Sequence, residues 1–202
     1  MLDPLMRRII DPPLDKAGGW LAARGVSANG LTLIGLLVGL ACLPLLAVEA
    51  YGWALACCLA NRLIDGLDGA VARIRGPTDF GGYADIVADM VFYAAVVLGF
   101  ALARPENAIW AAVLLAAFVG TASSFLGYAV ISAKRGEQTL QRGRKSFYHA
   151  AGLIEGSETI VFVVAMMIFP IFFKYISVFF TIMCAITIVG RLAAARARWG
   201  DG

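Results

Sequence analysis

Long apolar stretches separated by short polar connections run through the whole chain. A helix needs roughly 20 apolar residues to cross the hydrocarbon core of a bilayer, and each stretch is about that long. The strands of membrane barrels are only about 10 residues long and alternate in polarity, so the pattern predicts helices. The predicted spans are residues 30–48, 52–74, 80–102, 107–132, 151–170 and 172–193.

Two parts of this pattern are less regular. The separation of the last two spans rests on Pro170 and Lys174, and one long kinked helix is the alternative. Residues 1–26 mix apolar with charged side chains, which is typical of a helix lying in the membrane interface. We therefore predict an all-α, polytopic membrane protein. In it, this amphipathic interfacial segment precedes a domain of six transmembrane helices over residues 27–202.

The composition agrees with a membrane location. Hydrophobic residues make up 60% of the 202 residues and charged residues only 15%, with a mean hydropathy of +0.80. That is too apolar for a single soluble core of this size, and the net charge of +3 does not indicate a nucleic-acid partner. If the N-terminus is cytoplasmic, 14 of the 17 basic residues fall on that side. The positive-inside rule then predicts an inner-membrane protein with both termini in the cytoplasm.

Four carboxylates interrupt the second and third spans. Asp65 and Asp68 are three residues apart, and Asp85 and Asp89 are four apart, so each pair lies on one face of its helix. Counted from the turn at Gly76, the two pairs lie at matching depths of about 10–18 Å at the helical rise. A charged group inside a membrane costs several kcal/mol at least and is a functional candidate by default. The sequence therefore predicts a hairpin that gathers all four carboxylates in the cytoplasmic half of the membrane.

Such a cluster of carboxylates requires cations, because four of them in one low-dielectric pocket cannot all stay ionised without compensation. All candidate ligands are oxygens, and the single histidine, His149, lies far away in sequence. Hard ions such as Mg²⁺ or Mn²⁺ are therefore favoured over Zn²⁺. Four carboxylates can bridge two ions, and such a pair suits transfer at a phosphate.

Small residues flank the carboxylates and leave room for a bulky polar ligand, although small residues alone also serve close helix packing. They are Gly66, Gly69, Ala70, Ala72, Gly81 and Gly82.

The spacing of the acidic and small residues resembles the signature of the CDP-alcohol phosphatidyltransferases. The matching positions are Asp65, Asp68, Gly69, Ala72, Arg73, Gly81, Asp85 and Asp89. Upstream, Asn29 and Thr32 resemble a segment that begins the first span in many members, with Ala28 in place of a proline. The resemblance implies the six-helix fold and a role in phospholipid biosynthesis. It implies transfer of a phosphatidyl group from CDP-diacylglycerol to the hydroxyl of an alcohol, with release of CMP.

The resemblance also implies roles for individual residues. Asp65, Asp68 and Asp85 would ligate two metal ions, and Asp89 would ligate one of them and act as the general base. A homodimer with a cytoplasmic active site is implied as well. The CDP site would be lined by Asn29, Thr32, Asp65, Gly69, Ala72, Arg73, Thr78 and Gly81.

The alcohol acceptor stays open at this stage. Met90 follows the last aspartate, where glycerophosphate and inositol-phosphate enzymes of the family often have lysine. Candidate acceptor residues are Arg142 and Arg144 in a basic loop, and Glu155 and Glu158 at the start of the fifth span. The basic residues could instead only set the topology, and the glutamates could pair with the arginines.

Arg62 lies one turn from Asp65 and is interpreted as its buried partner. Three other functions are open. One is a CDP-aminoalcohol phosphotransferase acting on diacylglycerol, and another is a membrane scaffold without activity. The third is a cation transporter that uses the carboxylates, but the sequence shows no inverted repeat, and its acidic cluster lies on one side of the membrane.

Overall fold

The described part of the chain is helical and contains no strand. The computed structural model describes residues 3–136, 154 and 156–200, with side chains from residue 10 onward. The helices are α1 (Asp3–Ala23), α2 (Ala28–Leu40), α3 (Cys42–Ala47), α4 (Tyr51–Arg75), α5 (Asp79–Ala103), α6 (Ala108–Lys134), α7 (Gly156–Ile168) and α8 (Phe173–Trp199).

Four segments among the described residues are long and apolar enough to cross a membrane, which makes this an integral membrane fold. They are Ala28–Ala47, Asp79–Ala103, Pro105–Lys134 and Pro170–Trp199. Helix α4 has 25 residues but also carries Arg62, Asp65 and Asp68, and α7 has only 13 residues. The predicted all-α membrane class is confirmed, and the number of six spans stays a prediction.

Two prolines decide where apolar stretches break. The predicted first span is divided at Ala41 into α2 and α3, because Pro44 has no N–H to donate to the carbonyl of Leu40. At the end of α7, Phe169 leaves the helical region (φ −122°, ψ 60°), and Pro170 begins a short 3-10 turn. The alternative of one long kinked helix is therefore wrong, and α7 and α8 are separate helices.

Aromatic side chains form the core among α5, α7 and α8, toward the end of α5 that is far from its aspartates. Phe100 stacks on Phe173 with ring centroids 4.7 Å apart, and Phe162 stacks on Phe180 at 4.3 Å. All of these rings except that of Phe162 are fully buried. This packing joins α5 to α8 and α8 to α7.

At the end of the bundle opposite the Gly76 turn, Arg104 ties the end of α5 to the connection between α3 and α4. It donates two hydrogen bonds to Glu49, of 3.1 and 2.7 Å. These bonds hold the pKa of the Glu49 carboxyl below its usual range. Glu49 has φ +58°, which is uncommon for a residue with a side chain, and the bidentate pair holds it there.

The N-terminal helix α1 packs along the C-terminal half of α4. A Cβ built on Gly18 would lie 2.6 Å from the Cβ of Ala70, and a Cβ on Gly66 would lie 2.6 Å from Leu14. Arg75 fastens the end of α1 by donating to the carbonyl of Ala22 at 2.8 Å. The predicted N-terminal segment is therefore a helix in close contact with the helix that carries Asp65 and Asp68.

We expect Gly18→Ala to destabilise the protein by about 1–3 kcal/mol, because the new methyl group meets the backbone-fixed Cβ of Ala70. Gly52→Ala is the matched control, since a Cβ at that helical position meets nothing within 4 Å. The control should be neutral or stabilising by up to about 1 kcal/mol. Thermal unfolding in detergent measures both, and a Gly18→Ala midpoint at or above that of the control would contradict this packing.

Candidate active site

A tight turn joins α4 to α5, and side chains of the two acidic helices meet across a cleft that α2 also lines. Gly76 has φ +94°, which a glycine adopts without strain. Pro77 follows it, and Thr78 then caps α5 by accepting a hydrogen bond from the backbone N–H of Gly81 at 3.0 Å. The predicted hairpin is confirmed.

Three of the four carboxylates converge between these helices. Asp65, Asp68 and Asp85 each offer one oxygen, and these oxygens all lie within 4.8 Å of one another. Asp68 is buried, with 6% of its surface exposed, and the other two are half-buried. Because the ligands are all carboxylate oxygens, the cluster suits a hard divalent cation such as Mg²⁺ or Mn²⁺.

Thr32 on α2 orients one of these carboxylates. Its hydroxyl donates to Oδ2 of Asp68 at 2.7 Å. Thr32 is predicted from the sequence to line the nucleotide site, whereas in the structure its hydroxyl is engaged with a candidate metal ligand. A bond of this kind fixes the direction of the carboxylate before any ion binds.

Asp89 lines the same cleft as Asp65 and Asp68 but is not one of the three whose oxygens lie within 4.8 Å of one another, and it pairs with Arg62. The Nη2 of Arg62 lies 2.8 Å from Oδ1 of Asp89, while its Nη1 lies 3.6 Å from Oδ2 of Asp65. The interpretation of Arg62 as a partner of Asp65 is therefore incomplete, because its closer partner is Asp89. Asn61 and Tyr93 also contact this guanidinium, at 2.7 and 3.3 Å. The sequence analysis missed both residues, although each is a polar residue within a predicted span.

Several residues of the predicted nucleotide site meet beside the carboxylates. A Cβ on Gly81 would lie 2.9 Å from the hydroxyl of Thr78 and 3.0 Å from Oδ1 of Asn29. A Cβ on Gly69 would lie 3.5 Å from Nη1 of Arg73. The first turns of α2 and α5 and the last turns of α4 therefore come together at one end of the bundle. The half-buried Ala72 lies on the same part of α4.

Comparison with known proteins agrees with this geometry. Residues 25–190, most of the chain, match the family model described as CDP-alcohol phosphatidyltransferase. The chain belongs to the CDP-alcohol phosphatidyltransferase family. As a member, it is an enzyme of phospholipid biosynthesis. Family membership thus favours a transferase over the cation transporter and the inactive scaffold.

Relatives match either nearly the whole chain or about half of it. The chain is 44% identical over 193 residues to the inner membrane protein YnjF of Escherichia coli, covering 95% of this chain and 94% of YnjF. It is 35% identical over 105 residues to the archaetidylinositol phosphate synthase of Pyrococcus horikoshii, which is 48% of this chain and 52% of the synthase.

Crystal structures of the phosphatidylinositol phosphate synthase of Mycobacterium tuberculosis have the same fold. The structure with CDP-DAG bound has a TM-score of 0.66 and 23% identity, and covers 91% of this chain and 93% of the synthase. The structure with manganese and citrate has a TM-score of 0.64 at 23% identity, with coverage of 90% and 88%. At this level of identity the likeness concerns the fold alone.

The candidate acceptor residues of this CDP-alcohol phosphatidyltransferase are only partly described. Glu158 lies half-buried in the first turn of α7, while Arg142, Arg144 and Glu155 lie outside the described residues. Arg191 was counted among the topology-setting charges, yet it is only 8% exposed. It donates to the carbonyl of Thr121 on α6 at 3.0 Å.

Arg73 forms an ion pair that the sequence analysis missed. Its Nη2 lies 2.7 Å from Oδ1 of Asp15 on α1, and both side chains are about half exposed. At 100° per residue, Arg73 lies between the face of α4 that carries the carboxylates and the face that packs on α1. Asp15 and a nucleotide phosphate would therefore compete for the same guanidinium.

We expect Asp15→Asn to strengthen CDP binding up to about fivefold, since an exposed ion pair is worth at most about 1 kcal/mol. Asp11→Asn, the same charge change one turn earlier on α1, serves as the control and should leave the affinity within twofold of the parent, roughly the scatter expected of surface substitutions. Titration of the purified protein with CDP measures both. Weaker binding by Asp15→Asn would mean that the carboxylate orients Arg73 instead of competing for it.

Proposed function

We propose that this enzyme transfers a phosphatidyl group from CDP-diacylglycerol to an alcohol and releases CMP, with two Mg²⁺ or Mn²⁺ ions at the carboxylates. The convergence of Asp65, Asp68 and Asp85, with Asp89 in the same cleft, is the observation that carries this proposal. The related fold with CDP-DAG bound, and the one with manganese, support the donor and the metal.

Each side chain has a defined part in the proposed reaction. Asp89 accepts the proton of the acceptor hydroxyl, and the resulting oxygen attacks the phosphorus that bears the lipid. The bond from this phosphorus to CMP breaks, and Arg73 holds the nucleotide phosphates. The bound ions would neutralise the diphosphate and stabilise the leaving CMP. Asn29, Thr78 and Gly81 shape the nucleotide pocket.

A phosphorylated polyol is the first acceptor to test. The archaeal relative is named as an archaetidylinositol phosphate synthase and the structural relative as a phosphatidylinositol phosphate synthase. A phosphate on the acceptor would suit Arg142 and Arg144, and its hydroxyls would suit Glu155 and Glu158. Met90 occupies the position that often carries lysine in such enzymes, so other alcohols belong in the same test.

The membrane arrangement is part of the proposal. Helices α4 and α7 complete six spans, with both termini and the active site on the cytoplasmic side and α1 lying in the interface. The distribution of Lys and Arg supports this orientation. A homodimer is proposed from the family resemblance.

The proposed reaction predicts a new lipid whose headgroup matches the alcohol supplied. Purified protein is incubated with CDP-diacylglycerol, Mn²⁺ and, separately, inositol phosphate, glycerophosphate, inositol and serine, and the products are identified by mass. CMP release should stop when EDTA removes the metal and return when Mn²⁺ is added in excess. Product formation only from CDP-aminoalcohols and diacylglycerol would support the alternative phosphotransferase and contradict this proposal.

Asp89→Asn should lower kcat by about 10²–10⁴-fold, because a general base contributes about that much. The affinity for CDP should change by less than about threefold, because CDP is held by other residues and a substitution outside a binding contact has a small effect. Steady-state assays and CDP titration separate the two effects. Turnover by Asp89→Asn at the parent rate would rule out Asp89 as the base.

A further inference from the structure

Arg62 is a cation in the middle of a predicted span, and its side chain is only 11% exposed. Placing an arginine at membrane depth costs several kcal/mol unless partners compensate for it. Arg62 therefore supplies one positive charge beside the carboxylates without any bound metal ion. A purely structural ion pair would explain its presence but not its position among the candidate metal ligands.

The guanidinium is fixed from several directions. Its Nε donates to Oδ1 of Asn61 at 2.7 Å, and the amide of Asn61 donates to the carbonyl of Gly35 on α2 at 2.8 Å. Its Nη1 lies 3.3 Å from the hydroxyl of Tyr93, and the Cζ atom of the guanidinium lies 4.7 Å from the centre of the Phe92 ring. With two helices and an aromatic face holding it, Arg62 has little freedom to follow a carboxylate that moves.

Arg62 makes its shortest ion pair with Asp89, the carboxylate outside the group of three, and a longer one of 3.6 Å with Asp65. Asp65, Asp68 and Asp85 present oxygens within 4.8 Å of one another, and Asp89 is absent from that group. Oδ1 of Asp89 accepts the 2.8 Å bond from Arg62, while Asp89 remains 30% exposed toward the cleft. Its second oxygen is therefore left for another partner.

We propose that Arg62 is a positioning residue that keeps Asp89 out of the ligand set formed by Asp65, Asp68 and Asp85 and directs its second oxygen toward the acceptor hydroxyl. This inference rests on the proposed role of Asp89 as the base. Arg62 itself lies outside the family signature, which begins at Asp65 and ends at Asp89.

Because Arg62 carries a positive charge, the proposal can be tested by measuring Mn²⁺ binding, without measuring the reaction. With Arg62 in place, one of the four negative charges is compensated inside the protein. If Arg62 is replaced by a neutral residue, the uncompensated Asp89 adds its attraction to any divalent ion at the other three carboxylates. Mn²⁺ binding should then become tighter while turnover becomes slower. If Arg62 had only a structural role, its replacement would weaken Mn²⁺ binding and slow turnover together.

The experiment compares the parent with Arg62→Gln, Arg62→Lys and Arg104→Gln in the purified full-length protein. Mn²⁺ binding is measured without nucleotide from the electron paramagnetic resonance signal of free Mn²⁺. We expect Arg62→Gln to bind Mn²⁺ about threefold or more tightly than the parent. Its kcat should fall by about 10–100-fold, the usual effect of losing an outer partner of a metal site. The KM for CDP-diacylglycerol should stay within about threefold of the parent's, which is the usual range for a substitution that does not contact the substrate.

Arg104→Gln is the matched control, because it also removes an arginine from a carboxylate pair but at the opposite end of the bundle. It should alter neither Mn²⁺ binding nor kcat. Arg62→Lys keeps the charge, but a compact ammonium cannot reach Asp89, Asn61 and Tyr93 together. Its kcat should fall by about 3–10-fold, with Mn²⁺ affinity near that of the parent.

Unchanged or weaker Mn²⁺ binding by Arg62→Gln would overturn the inference, and so would a kcat equal to that of the parent. If Arg62→Gln does not elute as the parent does in size-exclusion chromatography, Arg62→Lys decides, and a parent-like kcat in that variant overturns the inference. Failure of the parent to form any lipid product would instead contradict the proposed function. The Mn²⁺ comparison would still report separately on Arg62.

Discussion

Mutual repulsion among four carboxylates in one cleft is the constraint on which the rest of this structure depends. Side by side at membrane depth, the carboxylates would hold α4 and α5 apart unless their charge were offset. The protein supplies part of the compensation, with Arg62 at Asp89 and the hydroxyl of Thr32 at Asp68. Divalent ions at the remaining oxygens would supply the rest. Binding of ions is therefore coupled to the approach of these carboxylates across the cleft.

Close helix approach is what allows these partners to reach the cleft. A Cβ on Gly39 of α2 would lie 2.9 Å from Nδ2 of Asn61 and 2.7 Å from the ring of Phe92. With no side chain there, α2 comes near enough for Thr32 to contact Asp68 on α4. On the other side of α4, Gly18 lets α1 approach in the same way. Small residues thus serve both helix packing and the site. The two interpretations of the small residues, close helix packing and room for a polar ligand, do not exclude each other.

Local periodicity was enough to predict the turn between α4 and α5 and the meeting of Asp65, Asp68 and Asp85, because both depend on helical spacing and one turn; the fourth predicted member, Asp89, pairs with Arg62 instead. It was not enough for contacts between distant segments. Asp15 and Arg73 are 58 positions apart, and nothing in the sequence of α1 shows which face would meet α4. Arg62 was assigned to Asp65 from their spacing, whereas the closer contact with Asp89 depends on how α5 packs. The burial of Arg191 likewise depends on the contact of α8 with α6.

The position of a bound metal ion tests the central claim most directly. Crystals of the protein grown with Mn²⁺ can be measured at a wavelength where manganese scatters anomalously. The account predicts an anomalous peak within bonding distance of oxygens from Asp65, Asp68 and Asp85. A peak elsewhere in the bundle with none at these carboxylates, or carboxylates that point away from one another toward the acyl chains, would contradict it.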